Sequence, residues 1–311
     1  MVENGTVLLA NPRGFCAGVV RAIDIVNLAL AKYGTPLYVR REIVHNKHVV
    51  GELGRKGVTF VEELDEVPEG ARIVFSAHGV APEVRRQAAA RRLQVIDATC
   101  PLVTKVHLEA VKYARAGFTI VLIGHADHDE VIGTCGEAPE AIKVIGSAEE
   151  ADTVEVADPA RVAYLTQTTL SVDDTRRIIA RLRQRFPAIR GPASDDICYA
   201  TQNRQNAVAR LARASDLVLV VGSANSSNSR RLVEVAIGHG TPARLIDDER
   251  GIDPAWLSGV RTVGLTAGAS APESLVEKVI RGLGNLGYTK VETLGDVRET
   301  VTFPLPPEVR A

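Results

Sequence analysis

A cysteine-led helix recurs three times in this chain at nearly even intervals, and that repetition restricts the fold more than any other feature. Cys16 is followed by AGVVRAIDIVNLALAKYG, Cys100 by PLVTKVHLEAVKYARAG and Cys198 by YATQNRQNAVARLARAS. In each stretch apolar residues return at helical spacing, and a small or polar residue marks the stop. The thiols lie 84 (100 minus 16) and 98 (198 minus 100) residues apart, unlike the clustered CxxC ligands of zinc ribbons and bacterial ferredoxins. Only tertiary folding could make them act together.

Each helix leads into a short β-branched run that ends on a polar tip. PLYVRREIV runs to His45 and Asn46, FTIVLIG to GHADHDE, and DLVLVVG to GSANSSN. Counted from the leading cysteine, His45, His128 and Ser226 stand at 29, 28 and 28 residues (45 minus 16, 128 minus 100, 226 minus 198). A second run closes each repeat: RIVFSAHG ends at His78, RVAYLTQTT at Thr168 and Thr169, and RTVGLTAGAS at Ser270. The helices APEVRRQAAARR, SVDDTRRIIARLRQRF and APESLVEKVIRGLG follow directly. Alternating strand and helix predicts parallel sheets covered by helices, and about 100 residues per repeat suits one domain. The expected fold is α/β: three small parallel-sheet domains, 1–97, 98–196 and 197–311, in a pseudo-threefold trefoil around a central cleft. Ligands of open parallel sheets bind beyond the carboxyl ends of the strands, so the six tips are expected to line that cleft. The tail after Gly287, ending TFPLPPEVRA, is too rich in proline for a helix and is expected to wrap an earlier domain.

Composition excludes several classes. Of the 311 residues 45% are hydrophobic and 24% charged, the balance of an ordinary globular chain. A net charge of -1 leaves no basic footprint for nucleic acid. No apolar run approaches the roughly 20 residues of a membrane span. MVENGTVLLANPRG lacks the basic start and long apolar core of a signal peptide, so the expected compartment is the cytoplasm. Thiols stay reduced there, and structural disulfides are not expected.

A single free cysteine is ordinarily a small buried hydrophobe. Three at equivalent places in three repeats, each at a helix N-terminus whose dipole favours a thiolate, suggest ligands. Gly14 and Gly18 flank Cys16, Pro101 follows Cys100, and acidic residues precede Cys198; glycines let the backbone approach a bulky group, and proline suits a first helical turn. Three thiolates without a fourth suit a [4Fe-4S] cluster in which one iron lacks a protein ligand and serves as a Lewis acid. Cys135 has no counterpart in the other repeats, and GTCGEAPE reads as a loop. A local zinc site of Cys135 with His125 and His128 is the alternative.

The tips hold neutral or weakly basic donors: His45, His78, His128, Ser226, Ser227, Asn228 and Ser270. Their number suits a phosphate-rich anion, although helix capping and turns would explain any one serine. The absence of GxxxxGK[ST] argues against nucleotide hydrolysis. Glu130, beside His128 and potentially near the Thr168 hydroxyl, is a candidate buried proton donor, because desolvation raises a carboxyl pKa toward neutrality; a solvated surface glutamate is the commoner fate. A cluster hydratase without net electron flow, an electron carrier or redox sensor, and a phosphosugar-binding module with structural thiols remain open alternatives.

NPRGFCAGV, His45-Asn46, FSAHGV, DATCPLVTKVH, GHADHDE, TQTTLSVDDT, DDICYATQNRQ, VGSANSSNS and LTAGASAP, in order from about residue 8 to 275, together resemble the 4-hydroxy-3-methylbut-2-enyl diphosphate reductase family (IspH or LytB). The resemblance implies reductive removal of an allylic hydroxyl to give isopentenyl and dimethylallyl diphosphate, the last step of the non-mevalonate isoprenoid route. It implies a trefoil of three α/β domains, a [4Fe-4S] cluster on Cys16, Cys100 and Cys198, and a diphosphate held by His45, His78, His128, Ser226, Asn228 and Ser270, with Ser227 lining the pocket. Glu130 would deliver protons through Thr168, and a ferredoxin or flavodoxin would supply electrons. This chain departs from the family pattern in having Asp129 in place of a common proline, and in Cys135, which matches no ligand of that pattern.

Overall fold

Twelve strands pair only in parallel among the residues described by the computed structural model, 4–310, and they form three separate sheets. The first part of the chain runs β1 (Thr6–Ala10), α1 (Ala17–Tyr33), β2 (Leu37–Arg40), α2 (Lys47–Arg55), β3 (Val58–Val61), β4 (Arg72–Phe75), α3 (Pro82–Ala90) and β5 (Gln94–Asp97). Next come α4 (Pro101–Arg115), β6 (Thr119–Ile123), α5 (Asp129–Glu137), β7 (Ile142–Ile145), α6 (Ala148–Thr153), β8 (Val162–Thr166) and α7 (Val172–Arg185). The last part is α8 (Tyr199–Arg213), β9 (Leu217–Val221), α9 (Ser227–Gly238), β10 (Ala243–Ile246), β11 (Thr262–Ala267), α10 (Glu273–Asn285) and β12 (Lys290–Leu294). The helices behind the three cysteines and the six strands read from the sequence are all present. The α/β class with three small parallel sheets is therefore what the chain adopts.

The chain divides into two compact units, of which the first comprises the stretch through Ala17, His45–Val49 and Tyr199–Thr302. Its sheet has the order β10-β9-β11-β1-β12. Successive strand residues point to opposite faces, and both faces are covered here. Val7, Leu9, Leu219 and Leu265 meet Leu275, Val276, Val279 and Leu283 of α10 on one side. Leu8, Ala10, Val218 and Val220 meet Val208 and Leu211 of α8 and Leu232 of α9 on the other. A strand buried on both faces reads as a continuous apolar run rather than an alternating one, which is how LVLVV and TVLLA are written. β1, at the start of the chain, pairs with β11 and β12 from its end, with Thr6 opposite Thr262 and Lys290.

The second unit comprises Gly18–Val44, Val50–Cys198 and the stretch from Phe303 onward. It holds a four-stranded sheet, β3-β2-β4-β5, and a three-stranded one, β7-β6-β8. Ile73 and Phe75 pack against Ala88 of α3. Val121, Ile123 and Tyr164 pack against Ile178 and Leu182 of α7, while Ile120, Leu122 and Leu165 face Val106 and Ala110 of α4 and Val131 of α5. The proline-rich end lies along α1. Arg21 Nε donates to Pro304 O at 2.7 Å, Lys32 Nζ to Glu308 O at 3.1 Å, and the Tyr33 hydroxyl to Glu308 O at 2.6 Å. Prolines remove backbone donors, so this segment is held by side chains donating to its carbonyls. Among the described residues no helix is long and apolar enough to cross a membrane.

Candidate active site

Within the first unit the structure gathers Cys16, His45, Ser226, Ser227, Asn228 and Ser270, and the turn after β11 joins them. The Cys16 N–H donates to Ala269 O at 3.2 Å, and the Ala269 N–H donates to Asn228 Oδ1 at 2.8 Å. Ser270 Oγ donates to His45 O at 2.8 Å. Ser226 caps α9, its Oγ accepting from the Ser229 N–H at 3.3 Å, so Ser227 and Asn228 form the first turn of that helix. Ser226, Ser227, Asn228 and Ser270 are all buried. Polar side chains at a helix N-terminus, with its unpaired N–H groups and positive dipole end, make a natural anion site. Gly14, two residues before Cys16, has φ +67, and a Cβ there would meet Ala271 O at 3.2 Å. Only glycine fits without strain.

His45 is held on the same unit by its neighbours. Asn46 Oδ1 accepts from the His48 and Val49 N–H groups, both at 3.1 Å, and so starts α2. The Lys47 N–H donates to Ser223 Oγ at 3.1 Å, and Lys47 Nζ pairs with Asp247 at 2.6 Å.

Within the second unit, Cys100, His78, His128, Glu130, Thr168 and Cys198 form one connected arc. The Cys100 N–H donates to Ala77 O at 2.9 Å, which ties the Cys100 backbone to the residue before His78. The His78 ring stands edge-on to that of His128, with centroids 5.9 Å apart. His128 caps α5, its Nδ1 accepting from the Glu130 N–H at 3.2 Å, which puts the proton of the neutral ring on Nε2. Glu130 Oε1 accepts from the Thr168 N–H at 2.7 Å, and Oε2 from the Thr168 hydroxyl at 2.9 Å. Finally, Thr168 O accepts from the Cys198 N–H at 3.2 Å.

Glu130 is only 2% exposed, and no cation bonds to it in the arc just described. Burial is the largest influence on its carboxyl and pushes the pKa from 4.5 to about 7 against the opposing pull of the two Thr168 bonds; the charge of Asp196 adds to the rise. A carboxyl titrating near neutrality can both hold and release a proton under physiological conditions.

The three repeated thiols are half-buried and in no disulfide. Cys100 is the residue capping α4, and Cys16 and Cys198 immediately precede α1 and α8, so each lies at the positive end of a helix dipole. Cysteine sulfurs so placed are suited to iron-sulfur ligation. Cys135 differs. Instead of a loop, GTCGE forms the last turns of α5, where the Cys135 side chain packs against the core around Val106 and Val131. Burial raises its thiol pKa, which disfavours the thiolate that a metal needs. It also stands seven residues, or about 10 Å of helix axis, from His128, whereas zinc gathers its ligand atoms within roughly 4 Å of each other. The alternative zinc site is not formed.

Some supporting residues had no clear signal in the sequence. Buried Gln167 accepts from the His125 N–H at 3.1 Å and donates to Thr169 Oγ1 at 2.9 Å. Thr201 on α8 accepts from Asn228 Nδ2 at 3.4 Å. The repeat draws attention to tips of strands, and neither the carboxamide nor the helix-borne hydroxyl repeats.

A family model described as LytB protein matches residues 7–284. The 4-hydroxy-3-methylbut-2-enyl diphosphate reductase of Acidothermus cellulolyticus is 61% identical over 305 residues, covering 98% of this chain and 90% of that protein. The protein of the same name from Rhodococcus opacus is 59% identical over 306 residues, covering 98% and 91%. Among solved structures, the E-1-hydroxy-2-methyl-but-2-enyl-4-diphosphate reductase from Plasmodium falciparum matches with a TM-score of 0.95 at 38% identity, over 99% of this chain and 97% of that one. A second, described as (E)-4-hydroxy-3-methyl-but-2-enyl diphosphate reductase, the terminal enzyme of the non-mevalonate pathway, matches with a TM-score of 0.63 at 30% identity, over 90% and 99%.

Proposed function

Because this chain belongs to the LytB family, we propose that it reduces 4-hydroxy-3-methylbut-2-enyl diphosphate to isopentenyl and dimethylallyl diphosphate. The C–O bond of the allylic alcohol breaks and a C–H bond forms. Two electrons enter, one proton goes to the departing oxygen to make water, and the other goes to carbon. Membership of the family implies a metal cluster; the finer reading is a [4Fe-4S] cluster on Cys16, Cys100 and Cys198, which would supply electrons and a Lewis acid.

The observation that carries this reading is the buried Glu130 carboxyl bonded through both oxygens to Thr168. Hydroxide leaves poorly unless it is protonated, and a carboxyl with a pKa of about 7 is suited to deliver that proton. Thr168 Oγ can take the Glu130 proton and pass on its own, so the donor need not leave its buried place. Backbone bonds from the Cys198 and Thr168 N–H groups fix the relay at both ends.

For the diphosphate, the α9 N-terminus with Ser226, Ser227 and Asn228 offers donors and a positive dipole end, supported by Ser270 and His45. Ser270 now donates to a carbonyl, and on binding its hydroxyl would turn to a phosphate oxygen, exchanging one acceptor for another. His78 and His128 are proposed as further diphosphate ligands. The proton on His128 Nε2 suits donation to an anion. We further propose a ferredoxin or flavodoxin as electron donor, a cytoplasmic location, and three repeat-derived domains, 1–97, 98–196 and 197–311.

The test is anaerobic purification, iron and sulfide analysis, and turnover with a chemical reductant. The expected result is a coloured protein that consumes two electrons per diphosphate converted. A colourless preparation, or conversion without consumption of reductant as a hydratase would show, overturns the proposal.

A further inference from the structure

Three buried or half-buried cations stand at matching places behind the thiols. Arg21 lies on α1, five residues past Cys16 (21 minus 16). Its Nη1 donates to Ala98 O at 3.2 Å and Thr99 O at 3.0 Å, the two carbonyls just before Cys100. Lys105 lies on α4, five residues past Cys100 (105 minus 100). Its Nζ donates to Ser194 O at 2.5 Å, Asp195 O at 3.3 Å and Asp196 Oδ1 at 2.9 Å, in the loop before Cys198. Arg204 lies on α8, six residues past Cys198 (204 minus 198). Its Nη2 donates to Gly14 O at 2.8 Å and Phe15 O at 3.2 Å, and its Nε to Gly14 O at 3.0 Å, the two carbonyls just before Cys16.

We propose that Arg21, Lys105 and Arg204 are positioning residues forming a cyclic brace, in which the helix headed by each thiol holds the loop that presents the next one. The order closes on itself: the Cys16 helix holds the Cys100 loop, the Cys100 helix holds the Cys198 loop, and the Cys198 helix holds the Cys16 loop. This rests on the reading of the three thiols as ligands of one centre, and it assigns to that centre three supporting residues.

The chemistry explains why cations are used. A loop leading into a helix N-terminus has carbonyls without ladder partners, and a buried carbonyl left unpaired is costly. A guanidinium or ammonium can satisfy two consecutive carbonyls, which fixes two peptide planes and the Cα–Cβ direction of the cysteine that follows. Outer groups of this kind orient metal ligands and tune their basicity. Arg204 is wholly buried (0% exposed), with Glu299 Oε1 at 3.0 Å as its counter-ion, an expensive arrangement for a residue that merely covers surface. Asp196, which pairs with Lys105, also accepts from the Thr166 N–H at 3.0 Å, tying the Cys198 loop to the end of β8. Burial lowers the Arg21 guanidinium pKa, while the negative charges of Asp97 and Cys100 oppose that fall.

The order of the brace gives a test that general destabilisation cannot imitate. Each cysteine N–H makes one backbone bond, to Ala269 O, Ala77 O or Thr168 O, and so reports on its own loop. Hydrogen exchange is followed by mass spectrometry on the full chain purified anaerobically, together with the electron paramagnetic resonance spectrum of the reduced cluster. Arg21→Gln is expected to raise exchange at least tenfold around Cys100, Lys105→Met around Cys198, and Arg204→Gln around Cys16. In each variant the cysteine heading the mutated helix keeps its protection, the spectrum changes, and Arg21→Lys and Lys105→Arg restore both readouts. Exchange that rises at the mutated helix's own cysteine, rises everywhere, or does not rise overturns the brace, as does a rise with an unchanged spectrum. If Arg204→Gln does not fold, the other two variants decide. A wild-type chain without iron and sulfide would overturn the proposed function, while the exchange pattern would still judge the brace.

Discussion

Replacing Glu130 with glutamine separates the carboxyl's proton from its shape. In the wild type, burial raises the Glu130 pKa from 4.5 to about 7. A shift of about 2.5 units corresponds to about 3 kcal/mol. Below pH 4.5 the carboxyl is neutral whether the chain is folded or not, and no penalty exists. Between 4.5 and 7 the unfolded chain loses its proton first, so the native state becomes progressively less stable relative to it, and above pH 7 the full penalty applies. Linkage gives a wild-type cost of about 1 kcal/mol at pH 5 and about 3 kcal/mol at pH 8. The substituted glutamine has no carboxyl proton to lose, and its carboxamide can accept from the Thr168 N–H and donate to Thr168 Oγ1. Urea unfolding of both chains, followed by circular dichroism, should therefore show Glu130→Gln gaining about 2 kcal/mol on wild type between pH 5 and pH 8, while turnover falls at least 100-fold. A stability difference that stays constant with pH would refute the desolvated carboxyl. Unchanged turnover would remove it from proton delivery.

Two further outcomes follow from the same geometry. Thr168→Val keeps the backbone bond to Glu130 Oε1 but deletes the hydroxyl at Oε2, an interaction that lowers the Glu130 pKa; the alkaline limb of the rate profile should move to higher pH and kcat should fall about 100-fold, whereas an unmoved limb would show that Thr168 does not act on the carboxyl. Cys135→Ser should retain full iron and sulfide content, because that thiol, on α5, is packed into the core and burial raises its pKa, while Cys198→Ser should lose the cluster; equal metal content in both variants, by elemental analysis, would contradict the three-thiol reading.

Local pattern carried the repeat, the thiols and the polar tips. A β-branched run followed by His, Thr or Ser and then an amphipathic helix is a strand-tip-helix unit wherever it occurs, because side-chain periodicity and capping act over a few residues. β2, β4, β6, β8, β9 and β11 and the helices behind Cys16, Cys100 and Cys198 are readable for that reason, and so are the candidate residues from Cys16 to Ser270. Around Cys135 the local signal misleads, since the two glycines in GTCGE suggest a break; in the fold, tertiary packing of α4 on α5 overrides their weak helix propensity.

What only the tertiary structure decided are relations between distant parts of the chain. β1 reads as an apolar run, yet its place between β11 and β12 depends on strands that begin only at Thr262 and Lys290, and hydrophobicity does not name a partner. Glu130 could be named from the sequence as a candidate proton donor, but its raised pKa comes from desolvation working against two bonds from Thr168, and neither influence exists in a local window. The three cations behind the thiols look like ordinary charged positions on amphipathic helices until their acceptors are known. Periodicity is set by neighbours in sequence and could be read from the chain; pKa, burial and the pairing of loops are set by neighbours in space.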